Sequence, residues 1–144
     1  SLNYLRAQST KKCLDRWTTL FGVPSFRGNQ FLELTNRLDK PMKPKYTGGG
    51  AWLSRLQGSP GFTARCCQAI LGHAPIGSFA ARFFPHQPTG CPCRAILETR
   101  PHILGYCNHF TDHLKSPISM TDFINFMKAN PRAFAFNSAP SGIG

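Results

Sequence analysis

Acidic residues are scarce: Asp and Glu number 6 against 17 Lys and Arg, a formal charge of +11 over 144 residues. An active site built on several carboxylates, such as that of a two-metal nuclease, is nearly excluded. Asp15, Glu33, Asp39, Glu98, Asp112 and Asp122 are scattered, with no convincing pair. Long hydrophobic runs are also missing, and none approaches the roughly 20 residues of a membrane span. The stretch from Ser1 to Lys12 mixes polar and basic types without an apolar segment, so no signal peptide is expected in this chain, although one removed earlier would leave no trace. The run Gly48-Gly49-Gly50 lacks the Lys-Ser/Thr of a phosphate-binding loop and reads as a hinge. No internal repeat is visible.

What is present is an ordinary core's worth of apolar residues, 41% of the chain, with 12 Phe, interrupted by 13 Gly and 12 Pro. Such a chain is not compositionally disordered, and its elements should be short. The expected fold is mainly α: several short helices around a Phe-rich core, with one small Cys-Cys-His-Cys zinc knuckle. Residues 1–137 should form a single compact domain, with a basic part at 1–50, the knuckle at 91–107, and a loose Ser/Gly/Pro tail at 138–144.

Apolar spacing predicts a helix over 4–21, with Leu14, Trp17, Leu20 and Phe21 on one face and Gly22 and Pro24 stopping it. A short helix is expected at 30–38, then a basic loop over 39–50, then a turn or two around Trp52, Leu53 and Leu56. Ser59-Pro60 should open a helix to Leu71 through Phe62, Ala64, Cys66, Cys67 and Ile70. Residues 76–84 read as an amphipathic helix closed by Pro85, with Phe79, Phe83 and Phe84 as a core stripe. Ser119 and Asp122 have capping-box spacing ahead of a helix through Phe123, Phe126 and Met127 that stops at Asn130-Pro131. Trp17 and Trp52 are expected as core anchors. Residues 133–136 alternate Ala and Phe, as a strand or a docked extended segment would.

The charge is uneven. Residues 1–65 hold 11 Lys/Arg against 3 acids, and residues 66–144 hold 6 against 3. A field of this sign attracts polyanions, of which nucleic acid is the commonest, though a solvated basic surface gives the same count. The candidate contacts are Arg6, Lys11, Lys12, Arg16, Lys43 and Lys45. Phe26, Tyr46 and Trp52 lie among them and could stack on bases, but aromatics this frequent are more often core.

The cysteines carry the sharpest signal. Cys91-x-Cys93-x8-His102-x4-Cys107 supplies three thiolates and an imidazole, enough to close a tetrahedral shell around one Zn²⁺. A full protein shell leaves no open position, so the metal would be structural. The Cys-x-Cys spacing is tighter than in the usual finger. Free buried thiols or disulfides are the competing reading, since Cys13, Cys66 and Cys67 bring the total to six and a secreted protein could pair an even number. Cys66 and Cys67, adjacent on an apolar helix, are read as inert thiols.

These residues also carry a resemblance. Thr63-Ala64-Arg65, Leu71-Gly72-His73-Ala74-Pro75-Ile76-Gly77 and Ala81-Arg82-Phe83-Phe84-Pro85 lead into Cys91-Pro92-Cys93, Glu98-Thr99-Arg100-Pro101-His102-Ile103-Leu104 and Cys107. Phe123-Ile124-Asn125-Phe126 and Asn130-Pro131-Arg132-Ala133-Phe134 follow. Together, over residues 46–136, they resemble the C-terminal region of fungal non-LTR-type retrotransposon polyproteins, the part that follows reverse transcriptase and often ribonuclease H. The resemblance implies zinc held by Cys91, Cys93, His102 and Cys107, and contact with nucleic acid. That family commonly has glycine after the second cysteine, where this chain has Arg94. The polymerase and nuclease motifs are absent from this chain. RNA is favoured over sequence-read duplex DNA because the knuckle resembles modules that read RNA shape and unstacked bases.

The leading expectation is therefore a zinc-stabilised, nucleic-acid-binding and RNA-favouring domain, intracellular in nucleus or cytoplasm and without membrane contact. Two rivals stand beside it. A small basic ribonuclease needs only histidines and a cation for the phosphate; His109 and His113 at helical spacing around Asp112, with His86 and Glu98, are its candidates, and the same trio is a weak second metal site. RNA cleavage that persists in chelator would identify it. A secreted, disulfide-bonded defence or toxin-like protein would show few free thiols under denaturant. His73, between Gly72 and Ala74-Pro75, is expected to bond backbone at a helix end.

Overall fold

The computed structural model describes residues 1–42, 51–84 and 86–136. Lys43, Lys45, Tyr46, the glycine run, Pro85 and the 138–144 tail lie outside the described residues. The chain is helix-rich, with a small three-stranded sheet. Helix α1 spans Leu2–Phe21, α2 Pro60–Leu71, α3 Gly77–Phe83, α4 Arg100–Gly105 and α5 Met120–Ala129; strands β1 (Leu34–Thr35), β2 (Pro41–Met42) and β3 (Ile118–Ser119) are two residues each. Short 3-10 turns occupy Arg27–Gln30 and Ala51–Arg55. No described helix is long and apolar enough to cross a membrane.

Local signals explain three helices. Ser59 caps α2 by accepting the Phe62 N–H, Pro60 sits in its first turn, and Gly72 ends it at φ 75°, the left-handed region that favours glycine. Ser119 accepts the Asp122 N–H to start α5, which ends at Asn130. Thr99 accepts the His102 N–H to start α4, with Pro101 in its first turn.

The helix expected at 30–38 is not formed. The Asn36 side-chain oxygen accepts the N–H groups of Leu38 and Lys40, and Asp39 takes a φ of 56°. This turn competes with helix and folds the chain back. Leu34 then lies opposite Met42 on one side, antiparallel, and opposite Ile118 on the other, parallel, so β1 is the middle strand. The basic loop expected from residue 39 accordingly starts with β2.

The core gathers Leu34, Leu56, Cys66, Ala69, Ile70, Ile103, Leu104, Met120, Phe123, Phe126, Met127 and Phe134. Of the 12 Phe, three are buried, namely Phe123, Phe126 and Phe134. The stripe expected on α3 is not a core stripe. Phe79 is half-buried against the core, while Phe83 and Phe84 are 43% and 44% exposed. The buried positions of that helix are Gly77 and Ala80 instead. Gly77 has a steric reason, since a methyl there would run into the Thr89 carbonyl. Trp52 is half-buried at the core edge, its ring 5.6 Å from that of Phe31. Trp17 is not a core anchor. Helix α1 has no buried residue, and Trp17 lies half-buried in a chain of edge-to-face rings with Phe21 and Phe26. Residues 133–136 form turns, with Ala133 and Phe134 buried and Phe134 at φ 61°.

Two half-buried arginines and the buried Asn130 reach across these short elements to backbone groups. The Arg65 guanidinium donates to the carbonyls of Met127, Asn130 and Ala133, tying α2 to the end of α5. Arg100 donates to Ala69 and Ile70 at the end of α2. The Asn130 amide joins the Thr111 backbone to Phe126. Helix C-termini expose carbonyls that cations satisfy well, so these two half-buried arginines are fixed by the fold.

Candidate metal centre

Two segments bring four ligand atoms together. The first is the tight turn Cys91–Ala95, closed by the Arg94 N–H donating to the Cys91 carbonyl and the Cys91 N–H donating to the Ala95 carbonyl. It sets Cys91 and Cys93 side by side. The second is α4 and its exit: His102 lies on the helix, and the Cys107 N–H donates to the His102 carbonyl, which folds Cys107 back beneath it. The segment between them is pinned to α3, where Ser78 N–H donates to the Glu98 carbonyl, Glu98 N–H to the Thr89 carbonyl, and Gly77 N–H to the Glu98 carboxylate.

The ligand atoms of Cys91, Cys93, His102 and Cys107 all lie within 4.8 Å of one another. Cys91 Sγ is 3.6 Å from Cys107 Sγ, and Cys93 Sγ is 3.1 Å from His102 Nε2. Cys91 and Cys107 are buried, and Cys93 and His102 are half-buried. The four are close enough to hold one metal ion. All six cysteines are free thiols.

The backbone around the cluster serves thiolates. Cys91 receives the Cys93 N–H, Cys93 the Ala95 N–H, and Cys107 the His109 N–H. These donors favour the ionised sulfur, which is the ligand form. They carry Cys93 below its ordinary value; for Cys91 and Cys107, burial outweighs them and pushes the thiols up. Arg94 holds φ 79° in the turn. That is the left-handed region, which favours glycine over a residue with a side chain.

Other sequence candidates are placed as follows. His109 and His113 do not share a helix face, because residues 106–117 are not helical. Tight turns around Asp112, at φ 56°, replace the helix, and His113 Nε2 bonds the Cys107 carbonyl at 2.7 Å. Among the described residues the Cys91 cluster alone groups three or more potential ligands, so the His109, Asp112, His113 trio is not assembled. His86 is exposed in the turn after α3. The His73 backbone N–H closes the end of α2, but its ring lies exposed, 6.2 Å from that of Phe79. Cys66 is buried, and burial pushes its thiol up to about 11; Cys67, half-buried, is pushed up as well. Neither is activated as a nucleophile. Cys13 is half-buried on α1.

Arg6, Lys11, Lys12 and Arg16 are all exposed on α1. Glu98 and His109, expected as ribonuclease candidates, and Arg132, for which the sequence offered no signal, stand near the cluster. Glu98 is 5% exposed beside Cys91, and its carboxyl is pushed up by burial, against the opposing Gly77 N–H. Arg132 and His109 stand exposed at the mouth of a cavity that Cys91 and Cys107 also line. What the sequence did not show is that the end of α5 and the residues after it bring Asn130, Pro131 and Arg132 to the same cavity. No protein-family model, curated protein or solved structure matches the chain.

Proposed function

We propose that this chain is a zinc-stabilised RNA-binding domain, related to the C-terminal region of retrotransposon reverse transcriptases. The observation that carries the reading is the four-ligand cluster. Around Zn²⁺, with Zn–S near 2.3 Å and Zn–N near 2.0 Å, a tetrahedral shell would separate two sulfurs by about 3.8 Å and a sulfur from a nitrogen by about 3.5 Å. The spacings of 3.6 and 3.1 Å lie near those edges and shorten them slightly. Three thiolates with one imidazole favour zinc over the hard cations Mg²⁺, Ca²⁺ and Mn²⁺. Cys91, Cys93, His102 and Cys107 complete the shell, so zinc supplies cross-linking between the 91–95 turn and α4 rather than a reactive site.

The nucleic-acid part rests on charge. The chain carries +11, and its N-terminal helix holds Arg6, Lys11, Lys12 and Arg16 in solvent. At 100° per residue, Lys11, Lys12 and Arg16 fall opposite Cys13, Trp17 and Phe21, the half-buried side. A basic face opposite an apolar one suits a phosphate backbone. Lys43 and Lys45 extend the same sequence region. Single-stranded RNA is the favoured ligand through the resemblance of the knuckle.

The test is a salt titration of the zinc-loaded chain against a short single-stranded RNA. Log affinity should fall linearly with log salt, and replacing Arg6, Lys11, Lys12 and Arg16 by Ala should flatten the slope by about 3, at roughly 0.7 per phosphate neutralised. Affinity that hardly changes with salt, or no binding at low salt, contradicts the proposal.

A further inference from the structure

Phe83 and Phe84, at the end of α3, are 43% and 44% exposed. They do not stand singly. The Phe79 ring lies 4.7 Å from that of Phe83 and 6.2 Å from that of Phe84, and the exposed His73 ring lies 6.2 Å from Phe79. The four rings make one contiguous strip along α3 and the end of α2. Scattered apolar side chains are ordinary on a surface, whereas a contiguous exposed set marks a contact site. The core does not need these rings, since the buried positions of α3 are Gly77 and Ala80.

The charge around the strip has one sign. Arg82 is exposed, and its guanidinium carbon lies 4.8 Å from the centre of the Phe83 ring. It makes no hydrogen bond or ion pair with another described residue, unlike Arg65 and Arg100, which are bonded to helix-end carbonyls. Glu98 is the sole acidic residue between Lys40 and Asp112, and it is buried. This part of the chain therefore presents cations to solvent without exposed carboxylates. A purely apolar partner would take an unpaired guanidinium out of water, which costs free energy. A single-stranded nucleic acid matches both features: its bases bring π faces and its phosphates bring negative charge.

We propose that this strip is a stacking platform for successive unpaired bases of a single-stranded RNA, with Arg82 meeting the phosphate between them. The inference rests on the RNA-binding reading and deepens it, because it gives the bases to α3 and leaves the phosphate backbone to the cations of α1. Stacking needs only a π face, which every base has, so the platform selects single strands without selecting a sequence.

The experiment titrates a uridine heptamer against the zinc-loaded chain and its Phe83→Leu, Phe84→Leu double variant over a range of salt. Leucine keeps the sites apolar and removes the ring faces. The double variant should bind roughly tenfold more weakly or worse, with an unchanged slope of log affinity against log salt, because stacking releases no counterions. Arg82→Ala should instead flatten that slope by about 0.7. A double variant that binds like the parent overturns the platform and leaves RNA binding in place. Failure of the parent to bind the heptamer at low salt overturns the RNA reading as well. Two other occupants have their own signatures. Vesicles of phosphatidylserine and phosphatidylcholine that the parent binds and the double variant releases, or a parent dimer that the double variant loses, each with RNA affinity unchanged, would reassign the strip and overturn the proposal. A second measurement avoids the variants: in the parent, the ring-proton resonances of Phe83 and Phe84 should move upfield on adding the heptamer, and should stay in place on adding the same strand without bases. Rings that do not move, or that move equally with both strands, overturn the inference.

Discussion

Helix α1 and the region around the metal cluster are built on opposite terms. The N-terminal helix runs for 20 residues and buries none of them. Helix α5 has 10 residues and buries four: Met120, Phe123, Phe126 and Met127. Helices of 6 to 12 residues, such as α2 to α5, are too short to persist alone in water. They are held by the core, by Arg65, Arg100 and Asn130 bonded to backbone groups, and, in the proposal above, by a metal. The lesson is that length and anchoring are separate properties. The long helix holds its cations in solvent, and the short ones supply the buried core.

The sharpest way to break this contrast is at the metal. Cys107→Ser should unfold the region around the cluster at room temperature, because apparent zinc-binding energies of about 10–16 kcal/mol match or exceed a whole domain's stability of about 5–15 kcal/mol. Loss of the cooperative thermal transition in circular dichroism checks this; a variant melting like the parent refutes it.

Next in size is the difference between two phenylalanines. Phe123→Ala, at a fully buried position, should lose about 4 kcal/mol in urea unfolding. Phe83→Ala, at a position 43% exposed, should lose under about 1 kcal/mol. Equal losses would mean that α3 packs deeper than its exposure shows.

Arg65→Ala should cost about 2–3 kcal/mol, since three carbonyls at the end of α5 lose a charged donor. Arg65→Lys should not restore it, because an ammonium lacks the planar fork that spans those carbonyls. Full rescue by Lys would show that charge alone matters there. Smaller and opposite in sign, Arg94→Gly should stabilise by about 1 kcal/mol by relieving the left-handed backbone. A lower melting temperature for that variant would instead assign the Arg94 side chain a contact that outweighs the strain.

The smallest effect should fall on α1. Alanine at Arg6, Lys11, Lys12 and Arg16 should leave the melting temperature within a few degrees of the parent, since all four side chains are exposed. A large drop would place that helix within the cooperative unit.

What was legible in the sequence was local. Ser59-Pro60 with Gly72, and Ser119 with Asp122, specify caps within a few residues, so α2 and α5 were readable from composition alone. The Cys91, Cys93, His102 and Cys107 grouping was readable because the spacing of thiols and imidazole is itself chemical information, and the structure brings the four within reach of one ion. The strands were not readable. Leu34 pairs with Ile118, far along the chain, and no window of sequence contains both. The apolar spacing of Phe79, Phe83 and Phe84 correctly marked a helix, but periodicity does not say which face another element covers. His109 and His113 had helical spacing without a helix, because the bond from His113 to the Cys107 carbonyl belongs to turns that wrap the cluster. Glu98 was noticed as a candidate acid. Its burial beside Cys91 depends on Gly77 and Thr89 approaching from α3 and its following loop.

The most direct test is the metal content of the purified, folded chain, measured by elemental analysis together with a count of reactive thiols. One zinc per chain, with Cys91, Cys93 and Cys107 protected from thiol reagents until chelator is added, is the predicted result. A folded chain free of metal, with Cys91 and Cys107 joined to one another or fully reactive without chelator, would contradict it.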